Sequence, residues 1–369
     1  MTHLKPDGHR RPASSLPLRR WRGHALGPWQ NYEIAVLDCA PPAVGEVQVE
    51  VHSAGVTFVD ALIASGRHQV QVPLPFIPGN EVSGVVVALG AGVTRFATGD
   101  RIACVCVCVC VCACVGVGGK YAERTNVRET AALRLPERMS FDEAAVFRGG
   151  FGCSYHALTQ AARLQPGETV LVLGAAGAVG LAAAQLAVAA AMGARVLVSA
   201  SSEEKRRVAL RAGTHAAIDT RAEDWRAQVR DWTEGRGLDV VVDPVGGAAT
   251  ERAFRALGLG GRLLSIGFAS GTIPSLPVNL TLLKGASLIV IELSKFEQRF
   301  QELAAANNRA LVALYNRGSI SAPPIAPSIA PSIPPPIARR FAFKHFRDAL
   351  TLAATGQRAG SVVLQIKEP

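Results

Sequence analysis

Three glycines recur at three-residue intervals near the middle of the chain, directly after a short apolar run. The run covers residues 170–173, and Gly174, Gly177 and Gly180 lead from it into an alanine-rich segment. A strand, a glycine turn and a helix in this order are typical of a dinucleotide-binding unit. A side chain in such a turn would hold the backbone away from a pyrophosphate, whereas the first N–H groups of the helix attract its charge. We therefore predict that a dinucleotide contacts Gly174, Ala175, Gly177, Ala178, Val179 and Gly180; a tight turn into a packed helix is the alternative.

The segment after the next apolar strand, residues 195–199, bears on which dinucleotide is bound. Small and hydroxyl residues stand where a site for NADH would carry Asp or Glu to bind the ribose hydroxyls. Hydroxyls followed by cations can instead hold a 2′-phosphate. The sequence therefore predicts NADPH, with Ser201 and Lys205 as ligands. The alternative is a capped, solvated helix start, in which Glu203 and Glu204 weaken the positive field.

Three further apolar runs end in polar or glycine-rich turns, at residues 213–219, 238–247 and 260–271. Ligands of open parallel sheets lie beyond the carboxyl ends of the strands. We therefore expect Gly267 and Phe268 to approach the nicotinamide half of the cofactor. Plain strand-ending loops would give the same residue types.

Length and composition indicate a two-domain globular protein. The chain has 369 residues, of which 49% are hydrophobic and 18% are charged, as suits a buried parallel sheet. Its formal net charge is +10, and six cations against one acid in the first thirty residues supply half of that excess. Because no stripe of Lys and Arg with interleaved aromatics follows, nucleic-acid binding is not expected.

The cytoplasm is the expected compartment, because the sequence gives no membrane span and no secretory signal. The uncharged stretch between Glu168 and Arg195 has the length of a membrane span, but its glycines break it into strand, turn and buried helix. The N-terminus has basic residues without an apolar core, so no secretory signal is predicted. Residues 1–18 are predicted to be a disordered basic extension; the alternative is a mitochondrial presequence, which the prolines of this segment oppose.

Two low-complexity tracts are predicted to be inserts without chemistry. Six cysteines alternate with Val or Ala from Cys104 to Cys114. Strict alternation places all six thiols on one face of a strand, whereas zinc sites favour cysteines two to four residues apart around a turn. A repeated TG dinucleotide would also encode this pattern, so the tract is interpreted as a dispensable insert after a strand that ends at Ile102. The proline-rich segment 322–338 is interpreted as an extended loop on the surface.

From about residue 22 onward the chain resembles the zeta-crystallin-like quinone oxidoreductases of the medium-chain dehydrogenase/reductase superfamily. The resemblance rests on the motifs GVTFVD (55–60), PGNEVSGVVVALG (78–90), GDR (99–101), FGCSYHAL (151–158), LGAAGAVG (173–180), DPVGG (243–247) and IGFASG (266–271). It implies an α/β fold in which a GroES-like β-rich substrate domain accompanies a doubly wound Rossmann domain. The implied boundaries are residues 19–153 for the first part of the substrate domain, 154–300 for the Rossmann domain and 301–369 for the return.

The resemblance also implies a site without catalytic zinc. Zinc-dependent relatives hold the metal with a Cys at the position of Thr57 and a His at that of Asn80, and Glu81 alone cannot replace them. The cysteine tract lies near the structural zinc lobe of those relatives, so a structural metal stays an alternative there. Several family positions have changed, namely Thr57, His68, Cys153, Ala178, Thr220 and Ser361. Among them, Thr220 lies on the side of the cofactor.

Hydride transfer to a quinone or enone needs few side chains, because the cofactor carries the reactive atom. The expected substrate pocket consists of Thr57, Asp60, His68 and Phe151, and either His68 or solvent would supply the proton. The predicted function is NADPH-dependent reduction of quinones or α,β-unsaturated carbonyls by a homodimer. The alternatives are an enoyl-thioester reductase of the same superfamily and a non-enzymatic NADPH-binding protein with a structural or RNA-associated role.

Overall fold

The computed structural model describes residues 17–69, 72–105, 119–188, 192–321, 339–356 and 358–367. Their strands form a six-stranded, a seven-stranded and a two-stranded sheet. The two-stranded sheet pairs β1 (Pro17–Arg22) with β2 (Glu33–Asp38) in antiparallel orientation. The two larger sheets belong to the two domains that the sequence predicts, and they confirm the α/β fold class.

The seven-stranded sheet is mainly antiparallel and forms the GroES-like part. Its strands are β3 (Glu46–Val56), β4 (Glu81–Leu89), β5 (Arg101–Val105), β6 (Arg124–Arg128), β7 (Ala132–Arg134), β14 (Arg340–Ala342) and β15 (Val362–Gln365). Their order in the sheet is β14, β15, β3, β4, β5, β7, with β6 paired to β3. The chain therefore returns to complete its first large sheet after it has built the second.

The six-stranded sheet consists of β8 (Thr169–Val172), β9 (Arg195–Ser199), β10 (Ala216–Ile218), β11 (Leu238–Asp243), β12 (Leu257–Ser265) and β13 (Ser287–Val290). It is parallel throughout, with the order β10, β9, β8, β11, β12, β13. Every residue of β8 is buried, as expected for a central strand covered by helices on both faces. The chain reverses its direction of winding between β8 and β11, and a crevice for ligands forms at such a switch point.

The helices cover these sheets and connect them. Those before β8 are α1 (Phe58–Ala64), α2 (Phe141–Ala144) and α3 (Arg148–His156). Those around the parallel sheet are α4 (Ala178–Val188), α5 (Glu203–Leu210), α6 (Trp225–Trp232), α7 (Ala248–Phe254), α8 (Asn279–Lys284), α9 (Leu293–Arg299) and α10 (Gln301–Asn316). The last helix, α11 (Phe346–Thr355), packs with the seven-stranded sheet.

The segment after residue 300 contributes to the domains of both of the large sheets. Leu311, Leu314 and Tyr315 of α10 share a core with the central strands of the parallel sheet. Residues from Arg340 onward belong instead to the seven-stranded sheet. We therefore propose that the return to the substrate domain begins between residues 321 and 340, later than the boundary at residue 301 that the resemblance implies.

The start of the cysteine tract is part of the sheet, so the prediction that β5 ends at Ile102 is wrong. Cys104 is 2% exposed and pairs with Val82 on one side and Ala132 on the other. Two neighbouring strands thus bury the thiol in the core, and a deletion that begins at Cys104 would remove core residues. The rest of the tract, from residue 106 to residue 114, and the proline-rich segment 322–338 lie outside the described residues.

The structure bears on two smaller sequence predictions, one for the N-terminal extension and one for the uncharged stretch. Pro17 and Leu18, assigned to the basic extension, belong to β1 and pair with Asp38 and Leu37. The uncharged stretch after Glu168 contains β8, the glycine turn and α4. Within the described ranges, no helix combines the length and the apolar character that crossing a membrane requires.

Candidate active site

The glycine turn between β8 and α4 is built by close backbone packing. Gly174 has a φ of +58°, and a Cβ on Gly180 would lie 2.4 Å from the carbonyl oxygen of Gly174. These two glycines are therefore required by the turn itself. Gly177 differs, because a Cβ there would meet only the Gly174 oxygen, at 3.4 Å. The space over Gly177 and the first N–H groups of α4 leave room for the phosphate groups of a ligand.

The predicted contacts Ala175, Ala178 and Val179 lie in this turn and in the first turn of α4. Ala175 is fully buried, and its N–H donates to the carbonyl oxygen of Ser199 at 2.9 Å. Ala178 and Val179 are partly exposed. The structure therefore brings the glycine turn against the end of β9, where the adenosine side of a dinucleotide would lie.

A small basic pocket, consisting of Ser201, Lys205 and Arg358, follows the end of β9. The ammonium group of Lys205 donates to the Ser201 hydroxyl at 3.1 Å and to the carbonyl oxygen of Gly356 at 2.7 Å. Ser202 caps α5 by accepting a hydrogen bond from the backbone N–H of Lys205. The cap of the alternative interpretation is therefore present, and binding of a phosphate by Ser201 and Lys205 stays a prediction.

Arg358 is the member of the basic pocket that the sequence did not indicate. Its guanidinium donates to the carbonyl oxygens of Ala353 and Gly360 at 3.2 and 3.3 Å. Burial lowers the pKa of Arg358 to about 10. Burial also lowers the pKa of Lys205, and repulsion by Arg358 lowers it further, although Glu204 opposes the change. Two cations that repel each other in a partly buried pocket favour the binding of an anion.

The segment that carries Arg358 also touches the glycine turn. The N–H of Gly360 donates to the carbonyl oxygen of Ala176 at 2.8 Å, and Ala359 packs with Ala176 and Ala200. The hydroxyl of Ser361 is buried and has no hydrogen-bond partner among the described residues. The next residue, Val362, pairs with Val56, so Ser361 lies across from the start of the predicted substrate pocket.

Thr57, Asp60 and Asn80 form a closed hydrogen-bond network. The Thr57 hydroxyl and backbone N–H donate to one oxygen of Asp60 at 2.6 and 2.8 Å, and the Asn80 amide donates to the other at 2.8 Å. Asp60 is 2% exposed, so burial raises its pKa while these donors oppose the rise. Thr57 and Asp60 also cap α1 reciprocally. Throughout the described ranges, no cluster of three His, Cys, Asp or Glu side chains could hold a metal ion.

The other predicted substrate-pocket residues occupy different environments. His68 is partly exposed in the turn after α1, and its backbone N–H donates to the carbonyl oxygen of Leu62 at 3.2 Å. Phe151 has no exposed surface and packs against Phe147 with ring centroids 4.7 Å apart. Their roles in substrate binding stay predictions.

The predicted nicotinamide-side residues lie where the ends of β11 and β12 meet. Phe268 contacts the turn at Gly246, where a Cβ would lie 3.0 Å from its ring. Gly267 and Phe268 are both partly exposed. Farther along the sheet, the hydroxyl of Ser199 donates to that of Thr220 at 3.1 Å. Contact of these residues with a cofactor stays a prediction.

Comparison with known proteins places this geometry in a family. Residues 43–137 match the alcohol dehydrogenase GroES-like domain, and residues 178–308 match the zinc-binding dehydrogenase family. A quinone oxidoreductase-like protein 2 homolog from Nematostella vectensis is 33% identical over 88% of this chain and 82% of its own length. The chain belongs to the quinone oxidoreductase family. It is thus an oxidoreductase of the medium-chain dehydrogenase/reductase superfamily, and the resemblance inferred from its motifs is confirmed.

Two further members of the quinone oxidoreductase family support this assignment. Human quinone oxidoreductase is 31% identical over 72% of this chain and 77% of its own length. The crystal structure of Escherichia coli quinone oxidoreductase complexed with NADPH superposes with a TM-score of 0.79 at 26% identity, and the match covers 94% of this chain and 100% of that one. Membership in this family argues against the non-enzymatic alternative.

Proposed function

We propose that this chain reduces quinones or α,β-unsaturated carbonyls with NADPH and without zinc. The observation that carries the proposal is the basic pocket, because two cations and a hydroxyl stand at the end of β9, where the adenosine ribose of a dinucleotide would lie. The E. coli relative, whose structure contains NADPH, supports the same choice of cofactor.

The residues present fit this dinucleotide. The glycine turn offers an open backbone at Gly177 and the N-terminus of α4 to the pyrophosphate. Ser201, Lys205 and Arg358 would hold the 2′-phosphate, because hydrogen bonds from cations to phosphate are among the stronger polar contacts. Thr220, Gly267 and Phe268 would complete the site along the ends of the strands. When bound, NADPH supplies the hydride.

Independence from zinc is supported by the network around Asp60. Thr57 and Asn80 replace the metal-ligating Cys and His of zinc-dependent relatives, and both direct their donors to Asp60. A zinc ion is usually held by about three protein ligands plus an open position, and an amide with a hydroxyl does not provide them. We therefore propose that the chain binds and reduces its acceptor without a metal.

A panel of acceptors tests this function. NADPH oxidation is measured with 1,2-quinones, 1,4-quinones, alkenals and enoyl thioesters, each with and without a zinc chelator. We expect turnover with quinones or alkenals that the chelator leaves unchanged. Turnover confined to enoyl thioesters would instead favour the alternative reductase. Loss of activity with the chelator and its recovery with zinc would contradict metal-free chemistry.

We propose that the chain forms a homodimer through β13, one of the two edge strands of the parallel sheet. Val290 is 70% exposed on this strand, and Leu282 of the preceding α8 is 84% exposed. An uncovered strand edge with apolar neighbours favours pairing, and a second copy related by a twofold axis pairs the same edge with itself.

Cytoplasmic localisation, with the mitochondrion as its alternative, stays a prediction from the sequence.

Charge on the edge strand should break this dimer. Replacing both Leu288 and Val290 with lysine is expected to give a monomer, because like charges would face each other across the new strand pair. Light scattering after size-exclusion chromatography measures the mass. Val36→Lys, at an exposed valine of β2, serves as the control and should leave the mass of a dimer. A wild-type chain that is monomeric at high concentration would refute the proposed interface.

A further inference from the structure

Glu81 places a carboxyl group where the substrate side of the molecule meets the cofactor side. It is the first residue of β4, directly after Asn80, and pairs with Gly55 and Val105. Its carboxyl lies against the first turn of α3, since a Cβ on Gly149 would be 1.9 Å from its Oε1 atom.

The other side of this turn of α3 faces the cofactor site. A Cβ on Gly150 would lie 2.9 Å from the carbonyl oxygen of Ala178, at the start of α4. The adjacent residues Gly149 and Gly150 of α3 therefore approach the Glu81 carboxyl and the start of α4, respectively. Glu81 is also partly exposed, so water can exchange protons with it.

None of the charged groups facing Glu81 forms an ion pair with it among the described residues. Asp60 from α1 repels its charge, and Cys104 of β5 and Tyr121 are the other titratable groups near it. Arg148 from α3 is nearby, but its guanidinium already donates to the Glu297 carboxylate at 3.0 Å and to the carbonyl oxygens of Val105 and Ala131 at 3.3 and 2.9 Å. No described hydrogen bond holds the Glu81 carboxyl either.

These surroundings favour the neutral acid. Burial, and after it repulsion by Asp60, raise the pKa of Glu81 to about 8, while Arg148 opposes the rise. At neutral pH the group therefore carries its proton mainly as COOH. A general acid works best when its pKa lies near the working pH.

We propose that Glu81 is the acid that protonates the acceptor while the acceptor is reduced. This assignment rests on the proposed function and adds a catalytic residue to it. The acceptor carbon gains a hydride from NADPH, and the electron pair of its broken π bond moves to the carbonyl oxygen. The O–H bond of Glu81 breaks, and its proton bonds to that oxygen. Glu81 becomes a carboxylate and regains a proton from water, so one hydride and one proton are consumed for each acceptor.

The position of Glu81 suits this role better than that of His68. Glu81 directly follows Asn80, which stands at a metal-ligand position of the zinc-dependent relatives, where the carbonyl of the substrate is polarised. A proton donor at this place stabilises the negative charge that develops on the same oxygen. His68 instead lies in the turn after α1, and its replacement provides the direct comparison.

Glu81→Gln tests the assignment, because glutamine keeps the shape but cannot release a proton. We expect kcat to fall at least 100-fold, in the usual range for loss of a general acid, with the affinity for NADPH and the KM for the acceptor within threefold of wild type. Wild-type kcat should fall as the pH rises through about 8. Glu46→Gln is the matched control. Glu46 is likewise the first residue of its strand, β3, but its carboxylate accepts a hydrogen bond from the backbone N–H of Ala43.

A titration of the Glu81 carboxyl, which needs no turnover, tests the same assignment independently of the kinetics. In protein labelled with carbon-13 at glutamate carboxyls, the signal lost in Glu81→Gln should titrate near pH 8 in the wild-type chain. If Glu81→Gln does not fold, Glu81→Asp identifies the signal, and the wild-type pH profile and titration still decide. A signal that titrates near the usual glutamate pKa, or a wild-type kcat that is constant across pH 8, would overturn the assignment.

The possible results also distinguish failure of the Glu81 assignment from failure of the proposed function. If Glu81→Gln turns over within threefold of wild type, or if turnover is lost in His68→Asn alone, Glu81 is not the proton donor. Either result would leave the proposed reductase function unchanged. A wild-type chain that oxidises NADPH with no acceptor of the panel would refute the proposed function, and this assignment with it.

Discussion

Gly180→Val should reduce NADPH affinity at least 100-fold, a loss of about 2.7 kcal/mol of binding free energy. The reason lies in the backbone of the glycine turn. A Cβ on Gly180 would be 2.4 Å from the oxygen of Gly174 and 2.8 Å from the Cα of Ala175. These are main-chain atoms, so they can move aside only if the turn opens. Titration of NADPH by fluorescence measures the affinity.

Gly177→Ala separates packing within the turn from contact with the ligand. Its Cβ would meet only one protein atom, at an ordinary contact distance, so the variant should unfold at the same temperature as wild type. Its affinity should nevertheless fall, because the new methyl group occupies the space over the turn. If Gly180→Val bound NADPH within threefold of wild type, the glycine turn would not be the pyrophosphate site.

The second large effect concerns the choice between NADPH and NADH. The wild-type chain is expected to bind NADPH at least tenfold more tightly. Replacing Lys205 and Arg358 with alanine together should remove this preference by lowering NADPH affinity about 100-fold, since two charge-assisted contacts to one phosphate are lost. NADH affinity should stay within threefold, because that cofactor lacks the phosphate. Parallel titrations with both cofactors measure the change.

Arg207→Ala is the matched control for this double variant. Arg207 is on the same helix, α5, but its exposed guanidinium pairs with Glu203. Loss of this charge should leave the cofactor preference unchanged. Equal affinity of the wild-type chain for the two cofactors would contradict the assignment of the basic pocket to the 2′-phosphate.

Local sequence patterns predicted the parallel sheet well. The strand at residues 195–199, the glycine turn and the runs that became β10, β11 and β12 could all be recognised, because each is an apolar stretch with its own turn signal. The two-domain α/β fold followed from their order and from the family motifs. These features depend on residues that are neighbours in the chain.

Arg358 and Glu81 could not be recognised in the same way. Arg358 reaches the basic pocket only because the segment after α11 folds back against Ala176 and Ala200. The raised pKa of Glu81 depends on burial by α3 and on repulsion from Asp60. In both cases the decisive neighbour is remote in sequence, and no periodicity or spacing reports it.

The cysteine tract illustrates a different limit of sequence reasoning. Alternation of Cys with Val or Ala is compatible with an insert and with a strand, because both give period-two patterns. The partners Val82 and Ala132 decide between them for Cys104, and they come from other strands of the sheet. Repetitive composition therefore does not by itself mark where a core strand ends.

The position of β15 has a consequence for synthesis on the ribosome. This strand lies between β14 and β3, and Val362 pairs with Val56 across almost the whole length of the chain. All six strands of the parallel sheet lie between residues 169 and 290, so that sheet can assemble while translation continues. The mainly antiparallel sheet begins first, but residues 53–56 of β3 lack their β15 partner until residue 365 has left the exit tunnel. During this interval the nascent chain exposes a strand edge with which other chains can pair. Chaperones that cover such edges would therefore act on the N-terminal part of the chain.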